Sequence, residues 1–153
     1  MRVWNLAVTA AAFALAPVQP TLAADIGQIK ISRGAVTIER GAETKPATVG
    51  MRLQAADVVR TGADSSVGIN MSDNSLLSLG ANSTLSLDRY EFDSTTNQGA
   101  FDASLRTGSL AVVSGRIAKQ SPETVTVRTP YAVLGVRGTE FVVSADDATR
   151  SSR

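Results

Sequence analysis

The sequence predicts an all-β fold, and three observations carry that reading. From Ile26 onward apolar and polar residues alternate in short runs, as in Val67, Ile69 and Met71; period-two patterning sets one side of each run against a core. Turn-forming clusters such as SDNS and GANS punctuate these runs. No apolar pattern with the 3.6-residue period of a helix is sustained after residue 25. Short strands joined at similar corners suggest a β-solenoid or β-roll-like stack, with an irregular β-sandwich as the alternative.

Residues 1–24 stand outside that fold. Arg2 supplies a positive start and Val3 to Ala16 is apolar except at Asn5 and Thr9. Pro17 and Pro20 then break the segment, and TLAAD offers a cleavage site after Ala23 or Ala24. This is the pattern of a secretory signal peptide. Its apolar run is shorter than the roughly 20 residues that cross a bilayer, so no retained membrane span is expected. The expected address is the periplasm or the exterior.

The strands follow in order. Ile29 and Ile31 share a parity, SRG turns the chain, and Val36 and Ile38 resume the alternation before GAETKP, which reads as a polar loop. Val67, Ile69 and Met71 point one way, as do Leu77 and Leu79, then Leu85 and Leu87. Asp88 to Gly99 reads as a surface excursion whose Tyr90 and Phe92 tuck back onto the core. SLRTGSLAVV, TVTVRTP and VLGVRGTEFVV supply the last strands, separated by a basic turn from Gly115 to Lys119. No helix is required. Residues 144–153 are polar and lack alternation, so they are expected to form a disordered tail behind a domain at 25–143. Val59-Arg60-Thr61-Gly62, Leu105-Arg106-Thr107-Gly108 and Val127-Arg128-Thr129-Pro130 repeat one pattern, apolar, Arg, Thr and a chain-bending residue. Each reads as the corner that ends one strand and starts another.

Composition narrows the chemistry. Cleavage before Asp25 leaves 129 residues, enough for one domain. Removing Arg2 leaves 14 cations against 14 acids, and a neutral chain offers no basic footprint for nucleic acid. Histidine and cysteine are absent, which removes the commonest general base, the commonest metal ligand and any disulfide. The serines have no G-x-S-x-G context. Asp57, Asp64, Asp73, Asp88, Glu91, Asp93 and Asp102 provide carboxylates, but a glycosidase pair needs a sugar cleft with aromatic walls, and only five aromatics lie beyond residue 24. Asp73-Asn74 and Asp146-Asp147 fit turns better than calcium loops. The expectation is a non-enzyme without catalytic residue, metal or cofactor.

One motif remains. Gly135-Val136-Arg137-Gly138 matches G-x-x-G and contains a cation, yet it leads into a strand pattern where phosphate loops lead into a helix. A structural reading is favoured. A bulge at Gly138 would bring Arg137 and Glu140 to the same side for pairing, Thr139 would fill a polar corner, and Gly135 would let another coil approach closely.

These residues resemble the FecR-type domain. Its closing signature, roughly TP-x-A-V-x-G-V-R-G-T-E-F, is matched from Thr129 and Pro130 through Gly135, Arg137, Gly138, Thr139 and Glu140 to Phe141. Its D-x-[IV]-x-T-G corner is matched by Asp57, Thr61 and Gly62, and its D-G-S turn, in altered form, by Asp73-Asn74-Ser75. The resemblance covers Ile26 to Val143. It implies a noncatalytic, β-rich envelope domain that works through contact with another protein; in regulators of the family this domain relays the state of an outer-membrane receptor to a sigma factor. The sigma-binding segment and membrane helix of those regulators are not found here, so a stand-alone secreted domain or a truncated piece of a larger FecR-domain protein is expected. A glycan or peptidoglycan binder is the alternative, because polar faces such as SSVGINMSDNS suit sugar hydroxyls.

Overall fold

The computed structural model describes residues 22–146. Most of the proposed signal segment and the end of the proposed tail lie outside the described residues. Among the described residues, twelve strands form one continuous curled sheet in two wings. The first wing holds β1 (Asp25–Arg33), β4 (Arg52–Gln54), β6 (Ser66–Met71), β7 (Leu76–Leu79) and β12 (Glu140–Ala145). The second holds β2 (Val36–Arg40), β3 (Glu43–Pro46), β5 (Val58–Thr61), β8 (Thr84–Phe92), β10 (Val125–Arg128) and β11 (Val133–Gly135). β9 (Gly99–Val113) belongs to both. Its first half pairs with β8 and β10, its second half with β7 and β12.

The all-β expectation holds, but a column of coils needs parallel neighbours and these ladders are antiparallel except at β9·β10. Turn length is the reason. Two to six residues close the hairpins β2–β3, β6–β7, β8–β9 and β10–β11, and a short turn can join only antiparallel strands. Gly41, Asn74 and Asn97 in these turns hold positive φ angles, which tight reversals favour. The single parallel pair is bridged by a longer connection that folds into α1 (Arg116–Gln120) and a 3-10 turn at Pro122–Thr124. The segment expected to be a basic turn is therefore helical. It lacks the repeated apolar face that would reveal it, burying only Ile117.

The alternating residues do form the core. Val67, Ile69, Met71, Leu77, Leu79, Leu85 and Leu87 are buried, and one aliphatic cluster joins both wings. Each such side chain contributes about 1.5–3 kcal/mol on burial. Ile31 departs from its expected parity: the β1·β6 register shifts between Ile29 and Ile31, so Ile29 is buried while Ile31 is 51% exposed. A bulge adds one residue to a strand and turns later side chains to the other face. The GAETKP segment is likewise a strand, β3, whose four residues are all exposed; a strand that buries nothing leaves no periodic signal. Asp88–Phe92 extends β8, with Tyr90 packed edge-on against Phe101 at 5.8 Å. β12 continues to Ala145, which is buried, two residues beyond the boundary expected at Val143.

Of the three similar corners, Thr61-Gly62 ends β5 and Thr129-Pro130 follows β10, whereas Thr107-Gly108 lies inside β9. There the strand passes from one wing to the other. Gly108 has φ +87°, and a Cβ at that position would sit 2.5 Å from the Cα of Ser83. Ser83 Oγ accepts the amide of the next residue, Ser109, at 3.0 Å and fixes the crossing. Gly108→Ala should therefore cost about 1–3 kcal/mol in urea unfolding. Gly135→Ala, at an open position without positive φ, should stay within about 0.5 kcal/mol of the parent.

Candidate functional site

The residues singled out by the sequence occupy three separate places, besides the Asp73-Asn74-Ser75 turn between β6 and β7. The first is the β4–β5 turn. Asp57 is fully buried, and its two carboxylate oxygens accept hydrogen bonds from Arg40 at 2.8 and 2.7 Å in a bidentate pair. Oδ2 also accepts the Gln54 amide at 2.8 Å, closing a turn in which Ala56 holds φ 70°. Arg40 donates further to the Arg52 carbonyl at 3.0 Å. The carboxylate beside it raises the guanidinium pKa above its ordinary value. Arg40 is 17 positions from Asp57 and belongs to no motif, so sequence spacing missed it; the signal available was that a buried aspartate seldom lacks a cation.

The second place is the far end of β5. Thr61 Oγ1 donates to the Gly80 carbonyl at 2.6 Å and accepts the Ser83 amide at 2.9 Å. Gly62 donates to the Ala35 carbonyl at 2.8 Å. The Asp73-Asn74-Ser75 turn forms a related polar corner. Asp73 is buried, and its carboxylate accepts the Ser75 amide at 3.1 Å, the Ser75 hydroxyl at 2.8 Å, the Tyr90 hydroxyl at 3.1 Å and the Ile117 amide at 3.3 Å. Ser75 Oγ accepts the Gly115 amide at 3.0 Å, tying the turn to the start of α1. Asn74 has φ 66°, a left-handed backbone conformation that asparagine, like glycine, tolerates. Burial, then the charge of Asp73, pushes the Tyr90 hydroxyl well above its ordinary value.

The third place is the terminal hairpin and loop. Thr129 Oγ1 accepts the Tyr131 and Ala132 amides at 3.3 and 3.0 Å, closing the β10–β11 turn around exposed Pro130. Val136 is buried and Phe141 half-buried. Gly135, Arg137, Gly138, Thr139 and Glu140 are exposed. Gly138 has φ +126° in the loop between β11 and β12, not at a bulge within a strand. Among the described residues no ion pair joins Arg137 to Glu140, and no neighbouring atom lies within 4 Å of a Cβ built at Gly135 or Gly138. The expected bracing pair and close approach at Gly135 are thus replaced by an open segment. The physical reason is position: among the described residues β11 ends the second wing, with no further strand beyond it to brace. Beside the loop lies a groove of 810 Å³, lined by Ala118, Pro122 and Val136, by the cations Lys119 and Arg137, and by Glu123. A second groove, of 880 Å³, lies by the β8–β9 hairpin and includes Glu91, Phe92, Asp93, Asp102 and Glu123.

Two buried carboxylates engaged by turns and an open terminal hairpin define an all-β scaffold that presents a surface. The family model described as FecR protein matches residues 57–152, more than half of the chain, and the chain belongs to that family. Neither the curated proteins nor the solved structures contain a match. The matched segment begins at Asp57, but β1, β2 and β4 contribute Ile26, Ile29, Val36, Ile38 and Leu53 to the same core.

Replacing Arg40 with methionine should destabilise the protein by roughly 3 kcal/mol, because Asp57 would remain buried without a cation. The figure is at the low end for a buried pair since the Arg40 side chain keeps 36% exposure. Urea unfolding of the single and double variants at Arg40 and Asp57 measures it. Tyr90 carries a second expectation. Its folded-state proton is held more tightly than in the unfolded chain, so unfolding releases a proton once pH exceeds the ordinary value of 10.0, and stability falls above that pH. Thermal unfolding followed upward from pH 9 should show this decline, and Tyr90→Phe should flatten it.

Proposed function

We propose that this chain is a noncatalytic, periplasmic FecR-family domain that acts as a protein-interaction module with a regulatory or signalling role in the cell envelope. The observation that carries the reading is the exposure of the family-signature hairpin. Tyr131 is 67% exposed and Val133 68%, and Leu134 is also exposed beside an open glycine-containing loop. Apolar side chains grouped on a hairpin cost solvation unless a partner covers them. The noncatalytic part rests on the absence of histidine and cysteine and on Asp57 and Asp73, whose oxygens are engaged by turns. The periplasmic part rests on the signal-like residues 1–24. No helix among the described residues is long and apolar enough to cross a membrane.

The glycan reading has its best location in the groove beside the β8–β9 hairpin, where carboxylates could accept sugar hydroxyls and Phe92 offers one ring. Co-sedimentation with purified cell wall, in the absence of other proteins, would support it instead.

A photo-cross-linking amino acid placed at Tyr131 in living cells should form an adduct with one discrete envelope protein. The same probe at Val49, equally exposed on the β3–β4 connection, should not. Identical adduct patterns at both positions, or none at Tyr131, would remove the support for this reading.

A further inference from the structure

The second wing ends differently at its two edges. β3 reads Glu43-Thr44-Lys45-Pro46, with Lys45 and Glu43 paired at 2.7 Å; charges and proline on an edge discourage further strand pairing. β11 reads Val133-Leu134-Gly135, carries neither charge nor proline, and among the described residues pairs only with β10. Leu134 stands opposite Val127, and the Val136 amide bonds the Val125 carbonyl at 3.2 Å. Hydrogen-bonded and non-bonded pairs alternate in an antiparallel ladder, so Leu134 bonds inward and the amides and carbonyls of Val133 and Gly135 face the open side. Arg128, opposite Val133, and Arg137, two residues past Gly135, lie at the two ends of β11. Both are exposed, and neither forms an ion pair among the described residues. At the Gly135 end lies the groove containing Lys119 and Arg137, whose charges exceed that of Glu123 there.

We propose that the open edge of β11 receives an extended acidic segment of a partner protein as an added strand, with a carboxylate of that segment held at Lys119 and Arg137. Main-chain bonds to Val133 and Gly135 supply affinity, and the flanking cations select acidic side chains. The inference rests on the protein-binding reading above and names the chemistry of what is bound. A second copy of this chain is the poorer occupant. Pairing two β11 edges would gather Arg128 and Arg137 from both copies around one short ladder, and like charges across paired strands repel.

The test is fluorescence anisotropy of the purified chain with two labelled ten-residue peptides, one alternating valine with glutamate and the other valine with lysine. The glutamate peptide should bind, more weakly as salt is raised, and the lysine peptide should not. Val133→Pro removes an amide that bonds nothing within the fold and should weaken binding about tenfold or more with the melting temperature retained. Val133→Glu places an acidic charge on the same edge, should weaken binding of the glutamate peptide, and serves if the proline variant fails to fold. Arg137→Glu should shift the preference toward the lysine peptide. Equal binding of both peptides, binding of neither, or unchanged binding by the edge variants would overturn strand addition. Self-association in sedimentation velocity that the edge variants abolish would also overturn it, assigning the edge to a second copy. A Tyr131 cross-link that persists while both peptides fail would defeat this inference and leave the protein-binding reading standing.

Discussion

Everything in the fold depends on β9 serving two wings at once. A 15-residue strand cannot lie flat against both, so it turns at Gly108, where the backbone takes a positive φ and Ser83 occupies the space a side chain would need. That single crossing lets Leu105 on one side of the bend and Leu110 on the other enter the same aliphatic core. It also sets the position of the last elements, because β10 lies along the first half and β12 along the second. The open hairpin is displayed where it is because β9 bends where it does.

The polar corners supply what this core lacks. With no cysteine, and with an interior that is mainly aliphatic, the turns are fixed by buried side-chain oxygens. Asp57 binds both a cation and its own turn; Asp73 relies on hydroxyls and amides from three separate elements. Desolvation offsets much of the attraction in a buried ion pair. The contribution of these residues therefore lies in geometry more than in net stability: each satisfies polar backbone that would be costly to leave unbonded. The two chain-linked turns at Thr61 and Ser83 act in the same way on the far side of β5.

The signature at the end of the chain divides into two kinds of residue. Thr129, Val136 and Phe141 shape the hairpin and seat it against the body. Gly135, Arg137, Gly138 and Glu140 face solvent. At Gly135 an added Cβ would meet no atom within 4 Å, and Arg137 has no ionic partner among the described residues, so neither side-chain position packs against the fold. The contrast with β3, whose edge is charged and ends in proline, gives that exposure a direction. One edge of the wing is closed to pairing and the other is left open.

How much was legible can be traced to particular residues. Alternation in Val67–Met71, Leu77–Leu79 and Leu85–Leu87 determined the all-β class and the inward face, because side-chain parity is a local property of an extended chain. Motif spacing likewise marked the Asp57 and Asp73 turns and the terminal signature. What the sequence could not show depends on partners distant along the chain. Arg40 reaches Asp57 across 17 positions, a one-residue bulge turns Ile31 outward, and an exposed strand such as β3 has no period to read. The order of strands, and hence whether Gly135 and Arg137 would be buried or displayed, was decided only by the tertiary structure. Pairing depends on how turn lengths, the bend at Gly108 and one shared core can be satisfied together, and no local segment contains all three.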